Sequence, residues 1–314
     1  MTKFLEVSVI TDGEAAEAIA EVLRPYAYQD GVVLEQLGDM NDLDPMAMEP
    51  AVTVKIYVPE EEDTPEFRRR IEEILYYMGR LYPIPPPTFR LLAETDWANA
   101  WKQHYHPFRI GQRIWIQPSW IDEEAGSDEP QSDSIQPDDV VLVLDPGMAF
   151  GTGLHPTTQK CLRALEQVVQ QGQEVLDVGT GSGILAIAAV KLGAKRVVGV
   201  DTDKIAVETA VLNATQNHVA EQIEVWRGEL SSVQEKGWDV VAVNILAPII
   251  IALLNEGDLM SYPHKQNGRL ILSGIIDQQM DDVETAVFNA GGIVLEKLVV
   301  RDWVTYIVAP NHSA

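Results

Sequence analysis

The sequence predicts an α/β protein in which a seven-stranded Rossmann-like sheet follows a small α+β domain of ferredoxin-like order. One stretch, 174–201, has the pattern of a strand, a glycine-rich turn, a helix and a second strand. Residues 1–94 alternate short segments in the order β-α-β-β-α-β. The length of 314 residues also exceeds that of one typical domain. We therefore expect a first domain at 1–94, a connecting region at 95–139 and a nucleotide-binding domain at 140–314.

Hydrophobic periodicity defines the elements of the first domain. Alternation of apolar and polar residues predicts strands, and apolar residues at i, i+3 and i+4 predict helices. No cluster of catalytic residue types occurs here, so the expected task of this domain is recognition. The predicted strands are Phe4–Ile10, Gly31–Leu37, Ala51–Val58 and Pro87–Glu94, and the predicted helices are Glu14–Tyr26 and Thr64–Leu81.

Two tryptophans and two histidines open the connecting region. Trp97 and Trp101 are spaced to share one helix face, which favours stapling the two domains together over stacking on a ligand. His104 and His106 have no neighbouring cysteines or paired carboxylates, so we expect no metal site. A hairpin over Phe108–Trp120 follows.

Acidic residues dominate the next segment and the whole chain. Ile121–Asp139 is rich in Asp and Glu and is expected to be a solvated loop that also helps to attract a basic substrate. The chain has 48 acidic and 23 basic residues, a formal charge of −25. Such a charge disfavours direct binding of nucleic acid, and it serves either solubility or a basic partner.

The lone Cys161 is expected to be a small core residue. Without a signal peptide or membrane span, we expect a soluble cytoplasmic protein.

A second glycine loop precedes the nucleotide stretch. It follows a predicted strand at Val140–Leu144 and has the sequence Asp145-Pro-Gly-Met-Ala-Phe-Gly-Thr-Gly-Leu-His-Pro-Thr-Thr158. This loop is too polar and too glycine-rich to be core, which favours a lid over a ligand. Thr157 or Thr158 is expected to cap the helix that follows.

The glycine spacing after the first strand identifies the type of nucleotide. A dinucleotide fingerprint is G-x-G-x-x-G, whereas Gly179, Gly181 and Gly183 follow G-x-G-x-G and Ile184 replaces the last fingerprint glycine. Asp177 precedes the turn, where a carboxylate repels a diphosphate and suits a cationic or zwitterionic ligand. The stretch therefore resembles motif I of S-adenosylmethionine-dependent methyltransferases.

The remaining segments complete seven strands. Two predicted helices and five further strands follow the nucleotide stretch, and the last two strands form an antiparallel pair. The helices are Ile205–Asn217 and Gln278–Asn289; the strands are Ile223–Trp226, Val240–Asn244, Arg269–Ser273, Ile293–Val300 and Trp303–Ala309.

Three motifs together resemble the ribosomal protein L11 methyltransferases. They are the loop Asp145–Thr158, the stretch Asp177-Val-Gly-Thr-Gly-Ser-Gly-Ile-Leu-Ala-Ile-Ala-Ala189 and Asn244-Ile-Leu-Ala247. Trp115-Ile-Gln-Pro-Ser-Trp120 and the upstream tryptophans are also similar to that family, so the resemblance covers essentially the whole chain. The acidic insertion looks longer than usual, and no role is carried over to it.

The resemblance implies S-adenosylmethionine as cofactor and locates its contacts. The family's contacts fall on Thr158 near the polar tail, Gly179 by the methionine part, Asp201 at the ribose and Asn244 at the sheet edge. The expected further contacts are Phe150, Gly151, Asp177, Gly181 and Leu230, and no metal is expected.

The implied reaction is methylation of amino groups. The Asn244 side chain and the backbone carbonyls of Asn244 and Ile245 are the expected acceptors for amine protons. His155 is either a general base or a residue that holds the loop, and Asn244 has an alternative role as a helix cap.

The implied substrate is ribosomal protein L11, methylated at lysine side chains and its α-amine. We expect L11 to be modified free of the ribosome or at the stalk base by a monomeric enzyme without direct contact to nucleic acid or membrane. The alternatives are a methyltransferase for another protein or a small amine, and a non-catalytic module that only binds the cofactor.

Overall fold

A computed structural model describes residues 3–11, 13–27, 32–37, 51–79, 84–93, 107–119, 135–144, 153, 155–264, 266–300 and 302–311. Within these ranges the chain forms two compact units, one built before residue 107 and one from residue 107 onward. Among the described helices, none combines the length and apolar character that crossing a bilayer requires.

The first unit has the predicted ferredoxin-like topology. Its four strands have the spatial order β2-β3-β1-β4, and every neighbouring pair is antiparallel. Both helices contribute buried apolar residues to one core with the sheet. Its elements are β1 (Lys3–Thr11), α1 (Gly13–Leu23), β2 (Val32–Leu37), β3 (Ala51–Pro59), α2 (Pro65–Met78) and β4 (Thr88–Ala93).

The second unit contains a three-stranded and a seven-stranded sheet. The three-stranded sheet is formed by β5 (Phe108–Ile110), β6 (Ile114–Gln117) and β7 (Val140–Val143). The other strands are β8 (Glu174–Val178), β9 (Arg196–Asp201), β10 (Ile223–Arg227), β11 (Val240–Asn244), β12 (Arg269–Ile276), β13 (Gly292–Val300) and β14 (Trp303–Pro310). The helices are α3 (Pro156–Val168), α4 (Ile184–Lys191), α5 (Lys204–Gln216), α6 (Ala247–Asn255) and α7 (Met280–Asn289).

The seven-stranded sheet confirms the Rossmann-like prediction. Its order is β10-β9-β8-β11-β12-β14-β13; the first five strands are parallel, and β14 pairs antiparallel with both β12 and β13. Buried residues of α3, α4 and α5 form one core on one sheet face, and those of α6 and α7 form another core on the opposite face. The chain leaves β8 for β9 on one side, and β11 lies on the other side. Open α/β sheets bind ligands at such a change of direction, which here falls at the carboxyl end of β8.

The predicted hairpin is tied to the last turn of α3. The turn at Gly111 has a φ of +66°, and the Glu166 carboxylate of α3 accepts the backbone N–H groups of Gln112 and Arg113 at 2.9 and 2.6 Å. Arg109 of β5 forms a two-pronged ion pair with Asp139, whose pKa it lowers. The last acid of the predicted acidic loop is therefore held by a cation of this chain.

The first turn of α3 differs from the prediction. His155, not Thr157 or Thr158, is the N-cap residue, because its Nδ1 accepts the Thr157 N–H at 3.3 Å and Pro156 begins the helix. Both threonines consequently lie inside the first turn and are buried. Cys161 of the same helix is buried, and this burial raises its thiol pKa to about 12, as suits a core residue.

Asn217, which directly follows α5, clamps β7 to the end of that helix. Its Oδ1 accepts the Val143 N–H at 2.9 Å, and its Nδ2 donates to the Val143 carbonyl at 2.7 Å. Because Asn217 is only 3% exposed, removing its side chain leaves both backbone groups without a partner.

We predict that Asn217→Ala lowers the free energy of unfolding by about 2 to 4 kcal/mol through these two lost bonds. Urea unfolding followed by circular dichroism measures the change. Leu212→Ala on the exposed face of α5 is the control and should cost less than about 0.5 kcal/mol. Equal losses in the two variants would refute the clamp.

Candidate functional site

The candidate site lies where three parallel strands of the second unit end together. In the sheet, β8 lies between β9 and β11, so the glycine turn after β8 is flanked by Asp201 and Asn244. The structure thus brings together three segments that are far apart in the sequence. The carboxyl edge of an open α/β sheet is where such folds bind ligands.

The glycine turn has a backbone that other residues adopt only with strain. Gly179, Gly181 and Gly183 have φ values of +75°, +55° and +80°. A Cβ at Gly179 would lie 2.5 Å from the Ile245 side chain, and one at Gly183 would lie 3.0 Å from Ala210 of α5. The turn therefore needs glycine for its conformation and for close packing on both sides.

Asp177 is buried beneath this turn. Its side chain is 1% exposed; one oxygen accepts the Thr180 hydroxyl at 2.7 Å, and the other, Oδ1, has no hydrogen-bond partner among the described residues. Burial disfavours the charged form and raises the pKa of Asp177 to about 7. A carboxyl beneath the turn disfavours a phosphate bound above it and favours a cationic ligand.

Asp201 joins the second strand to the turn. Its Oδ2 accepts the Gly181 N–H at 2.9 Å, and its Oδ1 accepts the Asp203 N–H at 3.0 Å. The carboxylate is partly exposed, and each oxygen keeps a second acceptor site. Asp201 therefore fixes the glycine turn and can also accept hydroxyl donors from a bound ligand.

Asn244 and Thr158 meet across the end of β11. The Asn244 Nδ2 lies 3.5 Å from the Thr158 hydroxyl oxygen, which joins the first turn of α3 to the sheet edge. Leu246, and not Asn244, is the N-cap residue of α6, so the alternative of Asn244 as a helix cap is wrong. The Asn244 amide is thus available to a ligand at the edge.

His155 is occupied by structural contacts. Its Nδ1 lies 2.6 Å from the Thr157 hydroxyl oxygen, and its ring packs edge-on against Trp303 with centroids 4.8 Å apart. These contacts hold the end of the loop, the second of the two roles expected from the sequence. Its role as a base stays a prediction.

Leu230 and the loop residues complete the predicted site. Leu230 is buried and begins a short helix, and its carbonyl accepts the Tyr262 hydroxyl at 3.0 Å. Gly153 has a φ of +87° and packs against Ile116 of the hairpin and Ile184 of α4. Phe150 and Gly151 lie outside the described residues, as do Trp97, Trp101, His104, His106 and most of the acidic loop.

The sequence did not predict several polar residues that support the carboxyl edge of the seven-stranded sheet. Asn213 donates to the Ser182 carbonyl at 2.8 Å, and Thr180 holds Asp177. Ser273 and Thr305 form a buried hydroxyl pair behind Asn244 and Thr158. Asn213 and Asn217 occur four residues apart on a helix face that is otherwise apolar, and that pattern could have indicated their roles.

The chemistry of the edge fits a sulfonium nucleoside better than a nucleoside phosphate. The groups gathered there are two carboxyls, the amide of Asn244 and the hydroxyl of Thr158, and none of these supplies positive charge. An anionic ligand would meet the Asp177 and Asp201 carboxyls, whereas a sulfonium or ammonium is attracted by them.

Comparison with known proteins agrees with this chemistry. The family model described as ribosomal protein L11 methyltransferase (PrmA) matches residues 3–310. A ribosomal protein L11 methyltransferase of Chloroflexus aurantiacus is 40% identical over 98% of both chains, and one of Herpetosiphon aurantiacus is 38% identical over 97% of this chain and 98% of its own. The crystal structure of a ribosomal protein L11 methylase from Lactobacillus delbrueckii subsp. bulgaricus is 32% identical. It superposes with a TM-score of 0.58 over 66% of this chain and all of the other.

The raised pKa of Asp177 predicts how stability depends on pH. The unfolded chain releases this proton near the ordinary aspartate pKa of 3.8 and the folded chain near 7, so the folded state binds more protons between these values. The stability contributed by Asp177 therefore falls as pH rises from about 4 to 7.

Asp177→Asn removes this titration. The free energy of unfolding of the variant, relative to that of the original chain, should therefore increase from pH 5 to pH 8. Urea unfolding without ligand at the two pH values measures it, with the exposed Asp282→Asn as the control. A difference between Asp177→Asn and the original chain that does not change with pH would contradict the assignment.

Proposed function

The chain belongs to the ribosomal protein L11 methyltransferase family, and on that basis we propose that it methylates amino groups of ribosomal protein L11 from S-adenosylmethionine. The targets are lysine side chains and the α-amine. The observation that carries the proposal is that the family model spans residues 3–310, both compact units included.

The cofactor would be held by the residues of the sheet edge. Gly179 and Gly181 would let the backbone approach the methionine part, and Asp201 would accept the ribose hydroxyls with its remaining acceptor sites. Thr158 would lie by the polar tail, and Leu230 would border the adenine. Phe150 and Gly151 complete the proposed set. When bound, the cofactor supplies an electrophilic methyl group on a sulfonium.

The main task of the protein is to present a neutral amine. A lysine with a pKa near 10.4 is neutral only about 0.04% of the time at pH 7, equivalent to about 4.6 kcal/mol. Desolvation at the edge lowers the lysine pKa, and the proton that it loses passes to solvent. Oriented acceptors and exclusion of water then place the nitrogen lone pair in line with the methyl group.

The acceptors are the Asn244 amide oxygen and the backbone carbonyls of Asn244 and Ile245. An amide oxygen binds amine N–H groups without stabilising the ammonium form as strongly as a carboxylate would. The Nδ2 of Asn244 is directed to Thr158, which leaves its Oδ1 for the substrate. We assign His155 to holding the loop, because its Nδ1 already accepts a backbone N–H.

The proposed partner follows from charge and domain organisation. A chain of charge −25 attracts a basic ribosomal protein and repels RNA, so we propose that it acts on L11 directly, free of the ribosome or at the stalk base. The domain at 1–94 would recognise L11, and the domain at 140–314 would bind the cofactor. The enzyme would act as a monomer in the cytoplasm, where ribosomal proteins are made.

Incubation of the 314-residue chain with methyl-labelled cofactor and purified large-subunit proteins tests the proposal. We expect label in L11 and none in the other basic proteins, because recognition is by a dedicated domain. Label in small amines only, or in no product, would overturn it.

We predict that Asn244→Asp lowers turnover at pH 7 about tenfold or more, since each unit by which the carboxylate raises the lysine pKa leaves tenfold less neutral amine. The loss should shrink only where the pH approaches the pKa of the bound lysine, which desolvation lowers from 10.4. Steady-state kinetics on L11 between pH 6 and 9 measures it. Asn255→Asp, the same change on the exposed end of α6, should leave the profile unchanged. An unshifted profile in Asn244→Asp would remove Asn244 as an acceptor.

A further inference from the structure

A bulge in β12 lies directly behind the proposed acceptor groups. Leu272 pairs with Tyr306 and Ile275 with Val304, so two residues of β12, Ser273 and Gly274, stand opposite one residue of β14. Bulges of this kind commonly lie next to active sites, where they redirect the chain. Ser273 is also the register partner of Asn244 in the parallel pair of β12 and β11.

The Ser273 side chain links the bulge to the first turn of α3. Its hydroxyl, completely buried, lies 3.3 Å from the Thr157 carbonyl oxygen and 2.6 Å from the Thr305 hydroxyl. Since Ser273 has one proton and the carbonyl can only accept, Ser273 donates to Thr157 and accepts from Thr305. Thr157 directly precedes Thr158, whose hydroxyl lies beside Asn244.

Gly274 packs against the next peptide of the site. It has a φ of +84°, and a Cβ built on it would overlap the Ile245 carbonyl oxygen and lie 2.8 Å from the carbonyl carbon. The absence of a side chain at 274 therefore sets how closely the Asn244–Ile245 segment approaches β12. Any larger residue must push that peptide away.

We propose that Ser273 and Gly274 are positioning residues for methyl transfer, which together fix the Ile245 carbonyl, Asn244 and Thr158 relative to one another. Ser273 acts through the first turn of α3, and Gly274 acts through the peptide that follows β11. The expected effect of both residues on kcat rests on the proposed function. The expected effect of Ser273 on hydrogen exchange in the first turn of α3 does not depend on that function.

The chain offers a matched control for each residue. Gly291 has nearly the same φ, +82°, but a Cβ there would meet no atom within 4 Å, so Gly291→Ala reports backbone strain alone. Thr305→Val removes the Ser273–Thr305 bond and keeps the donation from Ser273 to Thr157. Ser273→Ala removes both bonds.

The test compares Gly274→Ala, Ser273→Ala, Gly291→Ala and Thr305→Val in the 314-residue chain, in kcat and KM for L11 and in hydrogen exchange of the amides at 157–161. We expect Gly274→Ala to lower kcat about 100-fold and Ser273→Ala about 10-fold, with KM within about threefold, because small misplacements of reacting groups are costly. Gly291→Ala and Thr305→Val should stay within about twofold. Exchange should accelerate in Ser273→Ala and not in Thr305→Val.

Three results overturn the proposal. The first is an equal loss of kcat in Ser273→Ala and Thr305→Val, which indicates a purely structural role. The second is a kcat of Gly274→Ala equal to that of Gly291→Ala; if Gly274→Ala does not fold, the Ser273 pair decides. The third is unchanged exchange in Ser273→Ala. If the original chain does not methylate L11, the proposed function fails, and the exchange comparison alone decides whether Ser273 positions α3.

Discussion

The hydrogen bond from the Gly181 N–H to the Asp201 carboxylate is the contact on which the rest of the site depends. It joins the turn after β8 to the end of β9, at the point where the chain changes direction across the sheet. Asp201 can hold the turn only because the glycines adopt positive φ values. The turn can pack against Ala210 and Ile245 only because glycine has no side chain. Backbone conformation, packing and charge thus constrain the same few residues.

From this contact the polar supports extend in both directions. On one side, Asn213 and Asn217 of α5 tie the turn and β7 to the helix layer. On the other, the bulge at Ser273 and Gly274 supports Asn244 and the first turn of α3. The groups that would touch cofactor and substrate therefore sit on buried, hydrogen-bonded backbone, and this reduces the reorganisation needed when the ligands bind.

Most of the fold followed from the sequence because periodicity and glycine spacing are local properties. The strand–turn–helix–strand stretch, the split β-α-β-β-α-β unit and the terminal antiparallel pair were all predicted with bounds within a few residues. The predicted cap of α3 was wrong because proline occupies the first helical position. The helix therefore starts earlier than predicted, and His155 is its cap instead of a threonine. The pairing of β7 with the hairpin was not predicted, because strand partners are chosen by tertiary contacts.

The supporting residues of the site were not predictable for a similar reason. Nothing local in the sequence distinguishes Ser273 or Thr305 from ordinary polar residues, since the partners of Ser273 are 116 and 32 positions away. A crystal structure of the 314-residue chain with S-adenosylhomocysteine is the most direct test of the proposed cofactor site. We predict the ribose at Asp201, the amino acid part by Gly179 and Thr158, and the sulfur facing Asn244. A ligand bound away from the carboxyl end of β8 would contradict it.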